Sequence, residues 1–197
     1  MLPHVPFYFL RHGETDWNRR RVMQGHTDIA LNETGLRQAQ EIAPAVAALP
    51  IKTICASPLA RARRTAEIAN VNKVPIIIID ELKECGFGVH EGEDSSGAWR
   101  AGWMAGGVIE GGERRAHYIA RATQALARAL THESPVLVVA HGGTFWAMED
   151  LLGETVHVQN CTLFEMAPPA AGQKFWTAAQ LACPCEPALA IGQGSRV

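Results

Sequence analysis

The sequence predicts an α/β fold, a three-layer α/β/α sandwich in which helices cover both faces of a mostly parallel sheet. Short runs of β-branched and aromatic residues alternate with longer segments of helical periodicity, as in successive β-α units. Polar residues follow several of these runs directly, and the carboxyl ends of parallel strands meet at one sheet edge. With 197 residues, 47% of them hydrophobic, the chain suits one core, so we expect a single domain over residues 1–197.

The first β-α unit is predicted from residues 5–49. The apolar run Val5–Leu10 has aromatic and β-branched character and indicates a buried strand. Further along, the apolar residues of Leu36–Leu49 fall on one helical face, which predicts an amphipathic helix.

The second unit begins with Ile51–Ala56, which we interpret as a strand. Ser57 and Pro58 then have the residue types of an N-cap and a first helical position, for a helix that reaches about residue 70. Val74–Ile79 is apolar enough to predict a third strand buried on both faces, as parallel strands usually are.

Residues 86–112 are rich in glycine and contain Trp99 and Trp103 one helical turn apart. This pattern predicts a loop with one short helix, which we interpret as a lid over a cleft. Exposure of either tryptophan would favour a homodimer or a ligand clamp.

The remaining elements follow the same alternation. We expect helices and strands, in chain order, at Glu113–His132 (helix), Val136–Ala140 (strand), Thr144–Leu152 (helix), Cys161–Met166 (strand) and Phe175–Leu181 (strand). Residues 190–197 lack periodicity and are predicted to form a loose tail.

Composition excludes several classes of protein. A formal charge of -2 argues against nucleic acid as a partner, and no apolar run is long enough to span a membrane. The five cysteines show no Cys-x-x-Cys pair, and the N-terminus lacks a basic leader, so we expect a cytoplasmic protein. The basic run Arg19–Arg21 is either a solvated face or a substrate contact.

Charged and imidazole side chains follow the ends of the predicted strands. They are Arg11, His12, Arg61, Glu84 and His141. Each has an ordinary explanation when taken alone, such as a surface ion pair or a core histidine bonded to backbone. Together they suit a phosphate monoester dianion, because arginine pairs bidentately with phosphate oxygens and neutral imidazole is a nucleophile.

Two further features favour an anion site. Gly13, directly after the Arg11-His12 pair, lets backbone approach a ligand and would leave N–H groups facing an anion. Arg61 lies one turn into its predicted helix, where a cation is unfavourable against the helix dipole unless an anion is bound nearby.

These residues lie within motifs that occur in a fixed order over residues 5–152. The motifs are Leu10-Arg11-His12-Gly13-Glu14-Thr15 with Asn18, Gln24-Gly25 with Asp28 and Leu31, Ser57-Pro58-Leu59 with Arg61, Ala62 and Thr65, Leu82 and Glu84 with Phe87-Gly88 and Glu91-Gly92, Gly111-Gly112-Glu113, and His141-Gly142-Gly143. In this order they closely resemble the histidine phosphatase superfamily, also called phosphoglycerate-mutase-like.

The resemblance implies a role for each matching residue. His12 would be the phosphorylated nucleophile and Glu84 the proton donor and then acceptor, while Arg11, Arg61 and His141 would form the phosphate pocket. Further substrate contacts would come from Asn18, Gln24, Gly25 and Gly142. The cations would stabilise an in-line transfer without any metal or cofactor.

Within this family the sequence favours a phosphatase. The mutase branch usually carries Glu-Arg-His-Tyr-Gly at the acid position, whereas this chain has Glu84-Cys85-Gly86-Phe87-Gly88 and lacks the groups that hold a second phosphate. We therefore expect a small phosphorylated metabolite as substrate and water as acceptor. The alternatives are a cofactor-dependent phosphoglycerate mutase, a non-catalytic phospholigand-binding module and a metal-dependent hydrolase, although no metal-ligating histidine spacing is present.

Two residues near the proposed acid, His90 and Cys85, need separate comment. His90 stands where the family often has tryptophan, and we expect an exposed loop histidine there. Cys85 is adjacent to Glu84, and we expect an inert buried thiol.

Overall fold

The computed structural model describes residues 2–184 and contains a six-stranded sheet, in the order β3-β2-β4-β1-β5-β6. The strands are β1 (Phe7–Arg11), β2 (Thr53–Ala56), β3 (Ile76–Ile78), β4 (Val136–Ala140), β5 (Leu163–Ala167) and β6 (Thr177–Ala182). The first four in this order run parallel, and β5 and β6 are antiparallel additions at one edge. The predicted tail, 190–197, lies outside the described residues.

The helices of the described chain alternate with the parallel strands. They are α1 (Asp16–Arg19), α2 (Glu33–Ala47), α3 (Ala60–Ala69), α4 (Trp99–Met104), α5 (Arg115–Ala129) and α6 (Glu149–Leu152). Short 3₁₀ turns lie at Asp80–Leu82, Gly88–His90 and Gly142–Ala147. No helix within residues 2–184 has the length and apolar character needed to cross a bilayer.

The central strand β4 explains why the fold has three layers. Its side chains alternate between two cores: Val136 and Val138 pack with residues of α5 on one face, while Leu137 and Val139 pack with residues of α2 and α3 on the other. All of these positions have no exposed surface, as expected for a strand covered by helices on both sides. The predicted fold class is confirmed.

Three predicted details are wrong. Strand β3 is not buried on both faces, because it forms the edge of the sheet, and Ile78 is 43% exposed. Ser57 is not a helix N-cap: α3 begins at Ala60, and the hydroxyl of Ser57 is instead bonded to His141. The helix predicted over 144–152 is split into the 3₁₀ turn at 142–147 and α6.

The predicted lid segment, residues 86–112, is tied to the body of the protein through α4. Trp103 is almost fully buried, and its Nε1 donates a 2.8 Å hydrogen bond to the carbonyl oxygen of Glu113. Its ring packs against Phe87 and Trp146, with centroids 5.3 and 5.6 Å away. Trp103 is therefore part of the core, and the argument for a dimer from its exposure does not apply.

Candidate active site

A half-open cleft of about 740 Å³ lies beyond the carboxyl ends of the parallel strands. Eight of the nine residues that the sequence predicted for the site line it: Arg11, His12, Asn18, Gln24, Gly25, Arg61, Glu84 and Gly142. The ninth, His141, is buried beside His12, with the two ring centroids 5.2 Å apart. The structure therefore brings the predicted constellation together.

His12 follows β1 directly and is held in one orientation. Its Nδ1 lies 2.7 Å from the carbonyl oxygen of Gly13. A carbonyl oxygen can only accept, so Nδ1 carries the proton of the neutral imidazole, and Nε2 retains its lone pair. Asn160 fixes the same turn, because its amide donates to the carbonyl oxygens of His12 and Gly13, at 2.9 and 3.3 Å.

The surroundings of His12 keep its imidazole neutral. Its pKa is lowered well below 6.5, first by burial and then by the positive charges of Arg61 and Arg11, against the opposing effect of the bond to Gly13. The unprotonated Nε2 is therefore available at neutral pH. Burial contributes more to this lowering of the pKa than the two arginine charges do.

The two arginines reach the cleft from different elements. Arg61, in the first turn of α3, is fully buried, and its guanidinium donates to the carbonyl oxygens of Thr27 and Gly25, at 3.0 and 2.8 Å. Within residues 2–184 its Nε has no hydrogen-bond partner. Arg11 donates from Nη1 to the carbonyl oxygen of Val158 at 2.5 Å. Both guanidinium groups are thus positioned by backbone oxygens, which leaves their charge uncancelled by those contacts.

His141, directly after β4, is oriented by Ser57. Its Nε2 lies 2.8 Å from the Ser57 hydroxyl oxygen, and its Nδ1 is buried without a hydrogen-bond partner in the described part of the chain. Its pKa is lowered well below 6.5, first by burial and then by Arg61 and His12. A second neutral imidazole therefore lies beside the first.

Glu84 is held by three donors. Its Oε1 accepts from the Tyr118 hydroxyl at 3.0 Å and from the Cys85 backbone N–H at 2.9 Å, while Oε2 accepts from the Gly143 N–H at 3.1 Å. Burial and the charge of Glu84 raise the pKa of Tyr118 well above 10, so its hydroxyl stays a donor. A Cβ at residue 143 would collide with Oε1 of Glu84, so this approach requires glycine.

The other predicted contacts lie along the cleft wall. Asn18 accepts hydrogen bonds through Oδ1 from the N–H and hydroxyl of Thr15, at 3.1 and 3.0 Å, and so also caps α1. Oε1 of Gln24 is buried without a partner among the described residues. Gly25 adopts a left-handed conformation, with φ of 53°, and supplies the carbonyl that Arg61 contacts.

The reason predicted for a glycine at position 13, backbone N–H groups facing an anion, is wrong. Its N–H does not face an anion but donates to Thr65 Oγ1 at 3.0 Å. Glycine is required because a Cβ there would come within 2.6 Å of the Gly35 carbonyl oxygen. Gly13 thus allows the turn after β1 to pack closely against the start of α2.

Sequence reasoning missed the groups that position the site. Ser57 and Thr65 stand within a quoted motif, but nothing in their spacing indicates a bond to His141 or Gly13. Tyr118 and Asn160 lie in segments without any motif, 34 residues from Glu84 and 148 from His12, and only the fold brings them close.

His90 and Cys85 are also placed by the structure. His90 is not an exposed loop residue: its ring stacks on Trp99 with centroids 4.4 Å apart, and its Nδ1 lies 2.8 Å from a Glu93 carboxylate oxygen. Cys85 is fully buried as expected, and burial raises the pKa of its thiol, which disfavours the reactive thiolate. Within residues 2–184 no three His, Cys, Asp or Glu side chains are grouped to hold a metal ion.

The fold is an α/β sandwich with a cleft at the carboxyl edge of its parallel strands, and arginine and histidine side chains line that cleft. The chain belongs to the histidine phosphatase superfamily (branch 1), whose family model matches residues 7–171.

The relatives of this chain carry names that refer to different activities. An agropine synthesis reductase of Rhizobium rhizogenes is 39% identical over 161 residues, 75% of this chain and 35% of the relative. The uncharacterized phosphatase PhoE of Bacillus subtilis is 50% identical over 84 residues, 42% of this chain and 44% of the relative. The chain thus spans less than half the length of either of these two relatives. A probable phosphoglycerate mutase, GpmB of Erwinia tasmaniensis, is 39% identical over 147 residues, 68% of each chain.

Solved structures have the same fold. A protein of Thermus thermophilus superposes with a TM-score of 0.75 at 28% identity, covering 90% of this chain and 99% of the other. A mycobacterial glucosyl-3-phosphoglycerate phosphatase in complex with VO3 gives a TM-score of 0.74 at 25% identity, with 88% and 96% coverage.

Proposed function

We propose that this protein is a metal-independent phosphomonoesterase that forms a phosphohistidine intermediate on His12. The observation that carries the proposal is the bond from Nδ1 of His12 to the Gly13 carbonyl, which leaves an unprotonated Nε2 on a residue that lines the cleft. An imidazole nitrogen held in this state, next to two arginines, can attack the phosphorus of a bound monoester.

In the first step the bond between His12 Nε2 and phosphorus forms as the ester P–O bond breaks. Glu84, protonated in the complex, gives its proton to the leaving oxygen. In the second step a water attacks the phosphohistidine, Glu84 takes a proton from it, and the N–P bond breaks to release inorganic phosphate. Each step exchanges one bond at phosphorus and moves one proton.

The cations supply the electrostatic part of the reaction. Arg11 and Arg61 hold the non-bridging oxygens, whose charge is redistributed as the phosphoryl group moves. His141, neutral and anchored by Ser57, is a further phosphate contact. Asn18, Gln24, Gly25 and Gly142 line the same cleft and are proposed as substrate contacts.

The residues directly after Glu84 favour hydrolysis over phosphate transfer to a second substrate. Cys85 and Phe87 stand at the positions where the mutase branch of the family usually has arginine and tyrosine. Both residues are buried. Neither places a cation or a hydroxyl directly beside Glu84, where the mutase branch has groups that hold a second phosphate. We therefore propose water as acceptor and a small phosphorylated metabolite as substrate. The buried free thiols of Cys55, Cys85 and Cys161 fit the cytoplasmic location that the sequence predicts.

The proposal is tested with an aryl phosphate assayed in the presence of a chelator. We expect turnover of the wild-type protein, unchanged by the chelator, and its loss in His12→Gln. His117→Gln, at an exposed histidine of α5, is the matched control and is expected to keep full activity. Turnover that requires added divalent metal would support a metal-dependent hydrolase instead. Phosphate binding without turnover would support the non-catalytic module, and a coupled assay with phosphoglycerate detects mutase activity.

A further inference from the structure

The cleft has more positive charge than one phosphate monoester requires. Four arginines line it, against a single carboxylate, Glu84, although the chain as a whole has a formal charge of -2. Arg11 and Arg61 belong to the phosphate pocket described above. The other two, Arg21 and Arg100, are not used by the proposed reaction.

These two arginines also differ from most arginines elsewhere on the protein. Outside the cleft, the arginines that lie within 4 Å of a carboxylate are Arg19, Arg37, Arg63, Arg64, Arg115, Arg121 and Arg128. Neither Arg21 nor Arg100 forms such an ion pair with any residue from 2 to 184. Asp94 lies near Arg21, but its Oδ1 accepts hydrogen bonds from the N–H and hydroxyl of Ser96. Asp94 thus attracts Arg21 only at longer range, and no carboxylate of residues 2–184 lies within 4 Å of either guanidinium group, so both groups can pair with a ligand.

Both arginines are hydrogen-bonded to the same residue of the cleft wall, Ser95, Arg21 through its backbone and Arg100 through its guanidinium group. The Ser95 N–H donates to the Arg21 carbonyl oxygen at 2.8 Å, and the Ser95 carbonyl oxygen accepts from Arg100 Nη1 at 3.2 Å. Arg100 also lies over the ring of Trp146, 5.8 Å from its centroid, which orients its planar group. Residues from two separate segments thus meet at one side of the cleft.

The backbone of Arg21 indicates that this position is constrained. It has a φ of 56°, in the left-handed region that residues other than glycine rarely adopt. Such conformations persist where the surroundings enforce them, and they concentrate at ligand sites. Here the bond from Ser95 holds the conformation, and the neighbouring side chains Trp17 and Val22 line the same cleft.

We propose that Arg21 and Arg100 form a second anion subsite, which selects phosphate monoesters whose leaving group carries a further anionic group. The inference rests on the proposed function for the identity of the first anion. The rings of Phe87 and Trp146 add apolar surface to the cleft, so a leaving group with a flat apolar body suits it. The distal group is a carboxylate or a second phosphate, since guanidinium pairs with either.

The subsite is tested by binding, which does not depend on turnover. The probes are benzylphosphonate, its 3- and 4-carboxy derivatives and 1,4-xylylenebisphosphonate, which cannot be hydrolysed. We expect at least one doubly anionic probe to bind the wild-type protein about tenfold more tightly than benzylphosphonate, and less so at high salt. Arg21→Gln and Arg100→Gln should each reduce this preference while leaving benzylphosphonate affinity unchanged. The carboxylated and bisphosphonate probes distinguish the two kinds of distal anion.

Arg20→Gln is the matched control, because Arg20 is also exposed and forms no ion pair in the described chain, but does not line the cleft. The Arg20→Gln protein should prefer doubly anionic probes over benzylphosphonate to the same extent as the wild type. Equal affinity for all four probes, or a preference that survives in both Arg21→Gln and Arg100→Gln, would overturn the subsite. If the protein binds with the expected preference but does not hydrolyse phenyl or carboxyphenyl phosphate, the proposed function fails and the subsite stands.

Discussion

The hydroxyl of Tyr118 donates a 3.0 Å hydrogen bond to Oε1 of Glu84. Tyr118 lies on α5 and has no exposed surface, while Glu84 lines the cleft. Together with the backbone donors of Cys85 and Gly143, it fixes the carboxyl group at the cleft. We interpret Tyr118 as the residue that positions the proposed acid.

Tyr118→Phe should therefore reduce kcat about tenfold with little change in KM, because it removes one net hydrogen bond to Glu84 and no substrate contact. Steady-state kinetics on an aryl phosphate measure both constants. Tyr8→Phe, on β1, is the matched control and should retain the wild-type kcat. A kcat for Tyr118→Phe equal to that of the wild type would remove the positioning role.

Ser57→Ala removes the hydroxyl that anchors Nε2 of His141. The imidazole of His141 would then lose the hydrogen bond that orients its ring. Its contact with the phosphate should weaken as a result. We expect kcat/KM to fall about tenfold and inorganic phosphate to inhibit less strongly. Ser96→Ala, at an exposed serine, should change neither quantity. Unchanged phosphate inhibition in Ser57→Ala would separate His141 from phosphate binding.

Gly143→Ala should displace Glu84, because a Cβ would overlap its carboxylate and meet the Tyr118 hydroxyl at 2.9 Å. We expect a loss of kcat of about 100-fold, the lower range for removing a general acid and base. Gly102→Ala is the control, since its added methyl group would meet no atom within 4 Å beyond its own helix backbone and chain neighbours. Circular dichroism and thermal unfolding establish that both variants fold, and full activity of folded Gly143→Ala would argue against catalysis by Glu84.

The two buried imidazoles make stability depend on pH. Burial and nearby arginines lower the pKa of His12 and His141 in the folded state, whereas both titrate near 6.5 when unfolded. Between 6.5 and the lower folded pKa values, the unfolded chain binds more protons, so stability falls as the pH is lowered. Each histidine contributes a slope of up to about 1.4 kcal/mol per pH unit.

Urea unfolding from about pH 7.5 to about pH 5.5, a range that spans the unfolded pKa, measures this slope. We expect His12→Asn and His141→Asn each to show a shallower loss of stability than the wild type over this range. Parallel stability curves for the wild type and both variants would mean that folding does not lower the pKa of these imidazoles.

Residues whose pattern is local could be predicted from the sequence. The apolar run of β4 was predicted with its observed bounds, Val136–Ala140, because a strand covered on both faces is apolar at every position. The convergence of His12, Arg61 and Glu84 followed from the rule that parallel strands end at the same edge.

Features that depend on position in the assembled sheet could not be predicted. Strand β3 is as apolar in sequence as a central strand, but its edge position is decided by strand order. Ser57 has the residue type of an N-cap, yet its hydroxyl contacts His141, which lies 84 residues away. Tyr118 occupies an alanine-rich helix whose periodicity indicates only that it is buried.

The central claim is that His12 carries the phosphoryl group during turnover, and trapping the intermediate tests it most directly. The protein is mixed briefly with an aryl phosphate, quenched in alkali, and digested for mass spectrometry. We predict phosphate on the peptide that contains His12, stable in alkali, lost in acid, and absent in His12→Gln. An acid-stable adduct on another residue, or continued hydrolysis by His12→Gln, would contradict the account.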